Sequence, residues 1–190
     1  MGFFDSQENV QQYLKLAEGF DGREIIERLE KYLPSGASVL ELGMGPGIDL
    51  DILQKRYQAA GSDLSDIFLD MYKEKHPNAD LIKLDAVTLQ TDRKFDCIYS
   101  NKVLVHLSRR DFVKSLLRQL NVLEEKGLAV HTLWRGEGED QHHGLLFTYY
   151  KIDNLRKIIP PAFEILEMEL YQEMEPEDSI LLILKRLPAL

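Results

Sequence analysis

Three glycines at alternate positions, Gly43, Gly45 and Gly47, follow a short apolar run that carries one acid, Glu41, so that residues 39–47 read VLELGMGPG. A strand that ends in a glycine turn and leads into a helix brings backbone N–H groups together, and it lets main chain approach a polar, nucleotide-like ligand closely. Pro46 stiffens the turn. A dinucleotide-binding turn, G-x-G-x-x-G, needs its third glycine at position 48, where this chain has Ile, which counts against NAD. Asp63 lies 20 positions beyond Gly43. This is close to the spacing at which an acid at the tip of a second strand accepts hydrogen bonds from both ribose hydroxyls.

The elements that must hold these residues follow from the apolar periodicity, which alternates between helix and strand patterns as in an α/β sandwich. Two helices come first. One starts after Asp5 and Ser6, with Val10, Tyr13, Leu14 and Ala17 on one face; the other starts at Asp21 and Glu24 and stops before Pro34. Strands are expected over 38–42, 58–62, 81–84, 95–100, 128–132, 163–170 and 180–185. Helices are expected over 48–57, from Ser65 to near Pro77, from Ser108 until Gly127 closes it, and over 153–159. The sequence 135–144, RGEGEDQHHG, reads as a polar loop and as the best candidate for a mobile segment.

Composition narrows the class. A chain of 190 residues supports one well-filled core, here taken as a single domain over 1–190 with a helical cap over 1–34 and an α/β core over 35–190. No apolar run approaches the roughly 20 residues of a membrane span. The opening MGFFDSQENV has neither the basic flank nor the apolar stretch of a secretory signal, so a cytoplasmic protein is expected, with no membrane partner. Cys97, the only cysteine, can make no internal disulfide and no zinc site by itself. The net charge is −9, and residues 164–178 carry seven acids and no Lys or Arg, which repels a phosphate backbone and excludes nucleic acid as the expected partner. Lys102, Arg109, Arg110, Lys114 and Arg118 read as the solvated face of a helix, and His142 and His143 as a solvated loop; no metal is expected.

Taken in order, VLELGMGPG, AAGSDLS over 59–65, LIKLDA over 81–86 and FDCIYSNKVLVHL over 95–107 resemble successive motifs of class I S-adenosylmethionine-dependent methyltransferases. The resemblance spans about 39–134 and implies a Rossmann-like three-layer sandwich. Its seven-stranded sheet has the order 3-2-1-4-5-7-6, with strand 7 antiparallel, and the short connection between Leu170 and Ile180 fits such a pair. It further implies S-adenosyl-L-methionine as cofactor. Glu41, Gly43, Gly45 and Gly47 would surround its methionine half, Asp63 would bind the ribose, and Leu64 would pack on the adenine. Asp85 and the Ala86 backbone would meet the adenine amino group, and Ser100 and Asn101 would line the sulfonium end. Tyr13 would cover the methionine carboxylate.

On the same resemblance His106 lies near the reacting methyl group and is the candidate general base, because an unperturbed imidazole titrates near neutral pH. Trp134, Arg135 and Tyr149 would line the acceptor, expected to be a small molecule; His131, inside a strand between apolar neighbours, reads as packed. The expected activity is methyl transfer by in-line displacement, in a monomer or homodimer. The rival is a non-catalytic module that binds S-adenosylmethionine or S-adenosylhomocysteine.

Overall fold

A computed structural model describes residues 3–142 and 144–188, so His143 lies outside the described residues. The sheet is built from β1 (Ser38–Leu42), β2 (Gln58–Asp63), β3 (Leu81–Lys83), β4 (Phe95–Asn101), β5 (Leu123–Trp134), β8 (Phe163–Tyr171) and β9 (Ser179–Arg186), and a separate hairpin pairs β6 (Glu139–His142) with β7 (Leu145–Thr148). Its order is β3-β2-β1-β4-β5-β9-β8. With the hairpin set aside, this is the expected seven-stranded order. Only β9 runs against its neighbours, antiparallel to both β5 and β8.

Helices cover both faces. β1, β4 and β5 send Val39, Cys97, Tyr99, Leu128 and Val130 toward one apolar core, completed by α2 (Arg23–Leu29), α3 (Ile48–Leu53) and α4 (Asp66–Lys75). Leu40, Ile98, Ala129 and Leu133 face the other, completed by α5 (Arg109–Val122) and α6 (Ile152–Ile158). The period of two along each strand thus divides the core in half. β9 is buried on both faces from Ser179 to Leu184, and its SILLIL run is correspondingly unbroken by charge. Among the described residues no helix is long and apolar enough to cross a membrane.

Local chemistry explains most boundaries. Ser6 and Ser108 cap α1 (Gln7–Leu16) and α5 by accepting from the N–H groups of Asn9 and Asp111. Gly22 caps α2, and its N–H donates to the side chain of Asp49, 27 residues away. Two expectations fail for identifiable reasons. α5 ends at Val122, before Gly127, because Leu123 already pairs with Phe95; Cys97 then pairs with Leu128, so Glu124 to Lys126 and Gly127 bulge out of register. The expected loop over 135–144 contains β6, turned back onto β7 at Gly144 with φ +85°. The residues of β6 are all exposed, so this strand shows no alternation of buried and exposed positions, while the half-buried β7 packs Phe147 on His106.

Candidate active site

The glycine turn adopts a backbone that favours glycine at all three positions. Gly43, Gly45 and Gly47 have φ of +65°, +51° and +83°, a left-handed backbone that side-chain-bearing residues adopt at a cost. At Gly47, which opens α3, a Cβ would also fall 2.3 Å from the ring of Tyr72. The turn is fastened to the tip of β2 by Asp63. One oxygen of its carboxylate accepts from Gly45 N–H and the other from Ser65 N–H, each at 2.9 Å. Leu64 N–H also bonds this carboxylate, which still has lone-pair capacity for a ligand hydroxyl.

Acidic groups gather around this turn. Glu41 points from β1 into the same space and is only 4% exposed, and among the described residues its Oε2 has no hydrogen-bond partner. Burial, followed by the charges of Asp49 and Asp63, holds the Glu41 carboxyl well above the usual range. Burial also raises Asp63, against the opposing effect of its backbone hydrogen bonds. Asp49, on the first turn of α3, accepts from Gly22 N–H at 2.7 Å, Tyr99 hydroxyl at 2.7 Å and Asn101 Nδ2 at 3.1 Å. Sequence reasoning missed Asp49. The available signal was an acid two positions beyond the last turn glycine, but acids favour helix starts generally and the residue passed as one.

Tyr13 lies over these acids. A Cβ on Gly45 would come within 3.8 Å of its ring, and burial, with the charges of Asp63, Asp49 and Glu41, pushes its hydroxyl up to about 12. Phe4 packs edge-on to Tyr13 at 5.3 Å and lies 5.6 Å from Phe68, and its carbonyl accepts from Ser65 Oγ at 2.7 Å. The N-terminal segment therefore forms a wall of the site. Leu64, beside Asp63, is 56% exposed and offers an uncovered apolar surface. Next to it, Leu84 N–H donates to the Asp63 carbonyl, which places Asp85 and Ala86 at the neighbouring strand end. Asp85 Oδ1 accepts from the N–H groups of Val87 and Thr88 and so shapes that loop.

Ser100 and Asn101 cannot both line the site with side chains, since adjacent strand residues face opposite sides. Asn101 faces Asp49, whereas the Ser100 hydroxyl lies 2.8 Å from His131 Nδ1 under the sheet. That corrects the expectation for Ser100, which keeps only its backbone at the site. His106, in a single 3-10 turn (Leu104–His106), has Nδ1 2.8 Å from the Leu146 carbonyl. A carbonyl only accepts, so the proton sits on Nδ1 and the lone pair on Nε2. Burial lowers the pKa of this imidazole, which is neutral at pH 7. Its ring meets Phe147 edge-on at 4.8 Å and lies 6.5 Å from Phe4.

The three expected acceptor residues stand farther along the sheet edge. Trp134 stacks under Lys102, whose Nζ lies 3.7 Å above its ring and 2.6 Å from Glu173. Lys102 is therefore a buried latch between β4 and the β8–β9 turn and not part of a solvated helix face. Arg135 pairs with Glu177 at 2.9 Å, and the Tyr149 ring packs on Gly136. Among the described residues no hydrogen bond, ion pair or ring contact joins these three to the glycine turn or to His106. His142 pairs with Asp140 at 3.1 Å on the exposed hairpin, and no three His, Cys, Asp or Glu of the described residues gather as a metal would require.

A glycine cradle, a ribose-spaced acid and an orphaned buried carboxylate on a 3-2-1-4-5 sheet agree with the match of residues 7–165 to the model of a methyltransferase domain. The chain belongs to the methyltransferase-domain family. Solved structures share the fold of this methyltransferase domain at low identity. An S-adenosylmethionine-dependent methyltransferase from Clostridium acetobutylicum is 16% identical with a TM-score of 0.77, covering 95% of this chain and 98% of its own. The N-methyltransferase NodS from Bradyrhizobium japonicum, in complex with S-adenosylhomocysteine, is 14% identical with a TM-score of 0.73, covering 97% and 99%. Magnesium protoporphyrin IX methyltransferase from Synechocystis, with bound S-adenosylmethionine, is 15% identical with a TM-score of 0.71, covering 97% and 93%.

Proposed function

We propose that the protein transfers a methyl group from S-adenosylmethionine to a small-molecule acceptor. The observation that carries this reading is the buried set of Glu41, Asp49 and Asp63, in which Glu41 Oε2 has no partner. An unpaired buried carboxylate is costly, and a ligand that brings positive charge and N–H donors relieves that cost. The cofactor, with an ammonium and a sulfonium, fits such a site. Glu41 and the glycine cradle would hold its methionine half, Asp63 its ribose hydroxyls, Leu64 one face of its adenine and Asp85 the adenine amino group, while Tyr13 closes over the whole.

When bound, the group supplies a methyl carbon already activated by the sulfonium. The chain's own contribution is then alignment and exclusion of water, which Tyr13, Phe4 and Phe68 provide as a wall of rings. His106 Nε2, with its lone pair free and its ring neutral, is suited to take the proton of an acceptor hydroxyl or amine. Phe4 and Phe147 around that ring favour an uncharged, apolar or aromatic acceptor.

Thermal unfolding with S-adenosylhomocysteine and with NADH tests the cofactor. At about 100 times its dissociation constant the true ligand stabilises by about 2.7 kcal/mol. Stabilisation by NADH alone would overturn the reading. Incubation with labelled S-adenosylmethionine and extracted metabolites then tests turnover: transfer of label to an extracted compound supports the enzyme, and persistent binding without transfer supports a binding module.

A further inference from the structure

Beneath the sheet, on the side away from the glycine turn, a line of buried side chains uses every polar atom it contains. Ser100 on β4 and His131 on β5 are register partners, and Ser100 Oγ lies 2.8 Å from His131 Nδ1. His131 Nε2 lies 2.9 Å from Gln119 Oε1 on α5, Gln119 Nε2 donates to Ser115 Oγ at 3.3 Å, and Ser115 Oγ donates to the Ala86 carbonyl at 2.6 Å. Ser100, Ser115, Gln119 and His131 are all fully buried.

The directions along this line follow from its far end. Ser115 has one hydroxyl proton, given to Ala86, so it accepts from the Gln119 amide NH2. Gln119 therefore presents its carbonyl oxygen to His131, and Nε2 must carry the imidazole proton. Nδ1 is left as an acceptor, so Ser100 donates to it. Each link fixes the next, and exchanging donor for acceptor at any point leaves a buried group unpaired.

The two ends of the line bracket the proposed cofactor site. Ser100 is the residue before Asn101 at the tip of β4. Ala86 follows Asp85 in the loop next to Asp63, and that loop is shaped from within by Asp85 Oδ1 and fixed from below by Ser115. A base whose ribose sits on Asp63 and whose ring covers Leu64 reaches this loop.

We propose that His131 is a positioning residue for nucleobase recognition: through Gln119 and Ser115 its Nε2–H tautomer holds the loop at Asp85 and Ala86 in the orientation that reads the 6-amino group of adenine. This rests on the cofactor proposed above. Removing a link should loosen the loop without touching the ligand, so selectivity for the base should fall in a protein that still folds.

The test compares binding of S-adenosylhomocysteine with its 6-oxo analogue, S-inosylhomocysteine, by calorimetry. Ser115→Ala, which leaves the imidazole and Gln119 in place, is expected to lower the adenine preference by about 3-fold to 10-fold. His131→Phe should lower it at least as far, and His131→Gln, which keeps a donor toward Gln119, should recover part of it. Nitrogen-15 NMR of the wild type should show the His131 proton on Nε2. Wild type that binds S-adenosylhomocysteine, with an unchanged adenine preference in folded Ser115→Ala, would overturn the positioning role alone. A proton on Nδ1 of His131 would overturn it as well. No binding by wild type would remove the cofactor reading and this inference with it.

Discussion

On one face of β4, Tyr99 and Asn101 converge on Asp49 beside Glu41 and Asp63; on the other, Ser100 begins a neutral line through His131, Gln119 and Ser115. Both clusters are buried, and both join elements distant in sequence. In the neutral line every polar atom has a hydrogen-bond partner. On the acidic side three carboxylates sit together, and one oxygen of Glu41 has no hydrogen-bond partner among the described residues. Buried polar groups in a folded chain are nearly always satisfied, so a satisfied cluster is complete before any ligand binds and can act only by holding other groups in place, whereas an orphaned one marks a place where a partner is meant to arrive.

The largest effect is expected on the acidic side. Asp63→Ala removes the group proposed to bind both ribose hydroxyls, and charge-assisted hydrogen bonds contribute about 1.5 to 3 kcal/mol each. S-adenosylhomocysteine should bind at least about 100-fold more weakly by calorimetry. A change under about threefold would remove Asp63 from the ligand and erase the distinction between the two faces.

The neutral line should answer in stability. Gln119→Met keeps the volume but leaves His131 and Ser115 short of a partner inside the fold. Each buried group left unpaired costs about 1 to 3 kcal/mol, so chemical denaturation should give a loss of about 2 to 4 kcal/mol. Unaltered stability would show the line to be dispensable.

How far these clusters could be read from the sequence differs in the same way. The glycine spacing, Glu41 and Asp63 are local signals, fixed by what a turn and a strand tip can do, and the structure gathers them with Tyr13 around one space. The apolar patterns located the strands, and the sheet order came from the resemblance of the successive motifs to the methyltransferase family. The neutral line was not legible. Ser100, Ser115, Gln119 and His131 are ordinary residues whose meaning arises when β4, β5 and α5 are packed, and no spacing along the chain announces it. Asp49 and Lys102 were missed for that reason too: each looks like a solvated charge until Gly22 or Glu173 arrives from far along the chain.

Glu41→Gln should separate the two faces by sign. It replaces a carboxyl that burial and its acidic neighbours keep from ionising freely by a neutral side chain of the same shape, so the ligand-free protein should become more stable, by about 1 kcal/mol in denaturant, as is common when functional strain is relieved. Binding of S-adenosylhomocysteine should weaken about tenfold in the same variant. Loss of both stability and affinity would mean that Glu41 serves the fold.

The smallest effect, and the most discriminating, is in the dependence of ligand-free stability on pH. Burial lowers His131 from 6.5 to about 3, so between these values the unfolded chain binds a proton that the folded chain does not, and stability rises with pH. His106, also lowered by burial, adds a slope of the same sign below 6.5. Glu41 is raised above its ordinary 4.5, so from there upward the folded chain holds the extra proton and stability falls as pH rises; Asp63, raised from 3.8, acts likewise. The windows overlap above 4.5, and in wild type the slopes partly cancel. In thermal unfolding from pH 4 to 7, Glu41→Gln should show a steeper rise than wild type. His131→Gln should show a shallower one, with only His106 still opposing the acids. Parallel profiles for all three proteins would mean that neither buried cluster titrates differently in the folded chain, and the contrast between the two faces of β4 would then be geometric without being electrostatic.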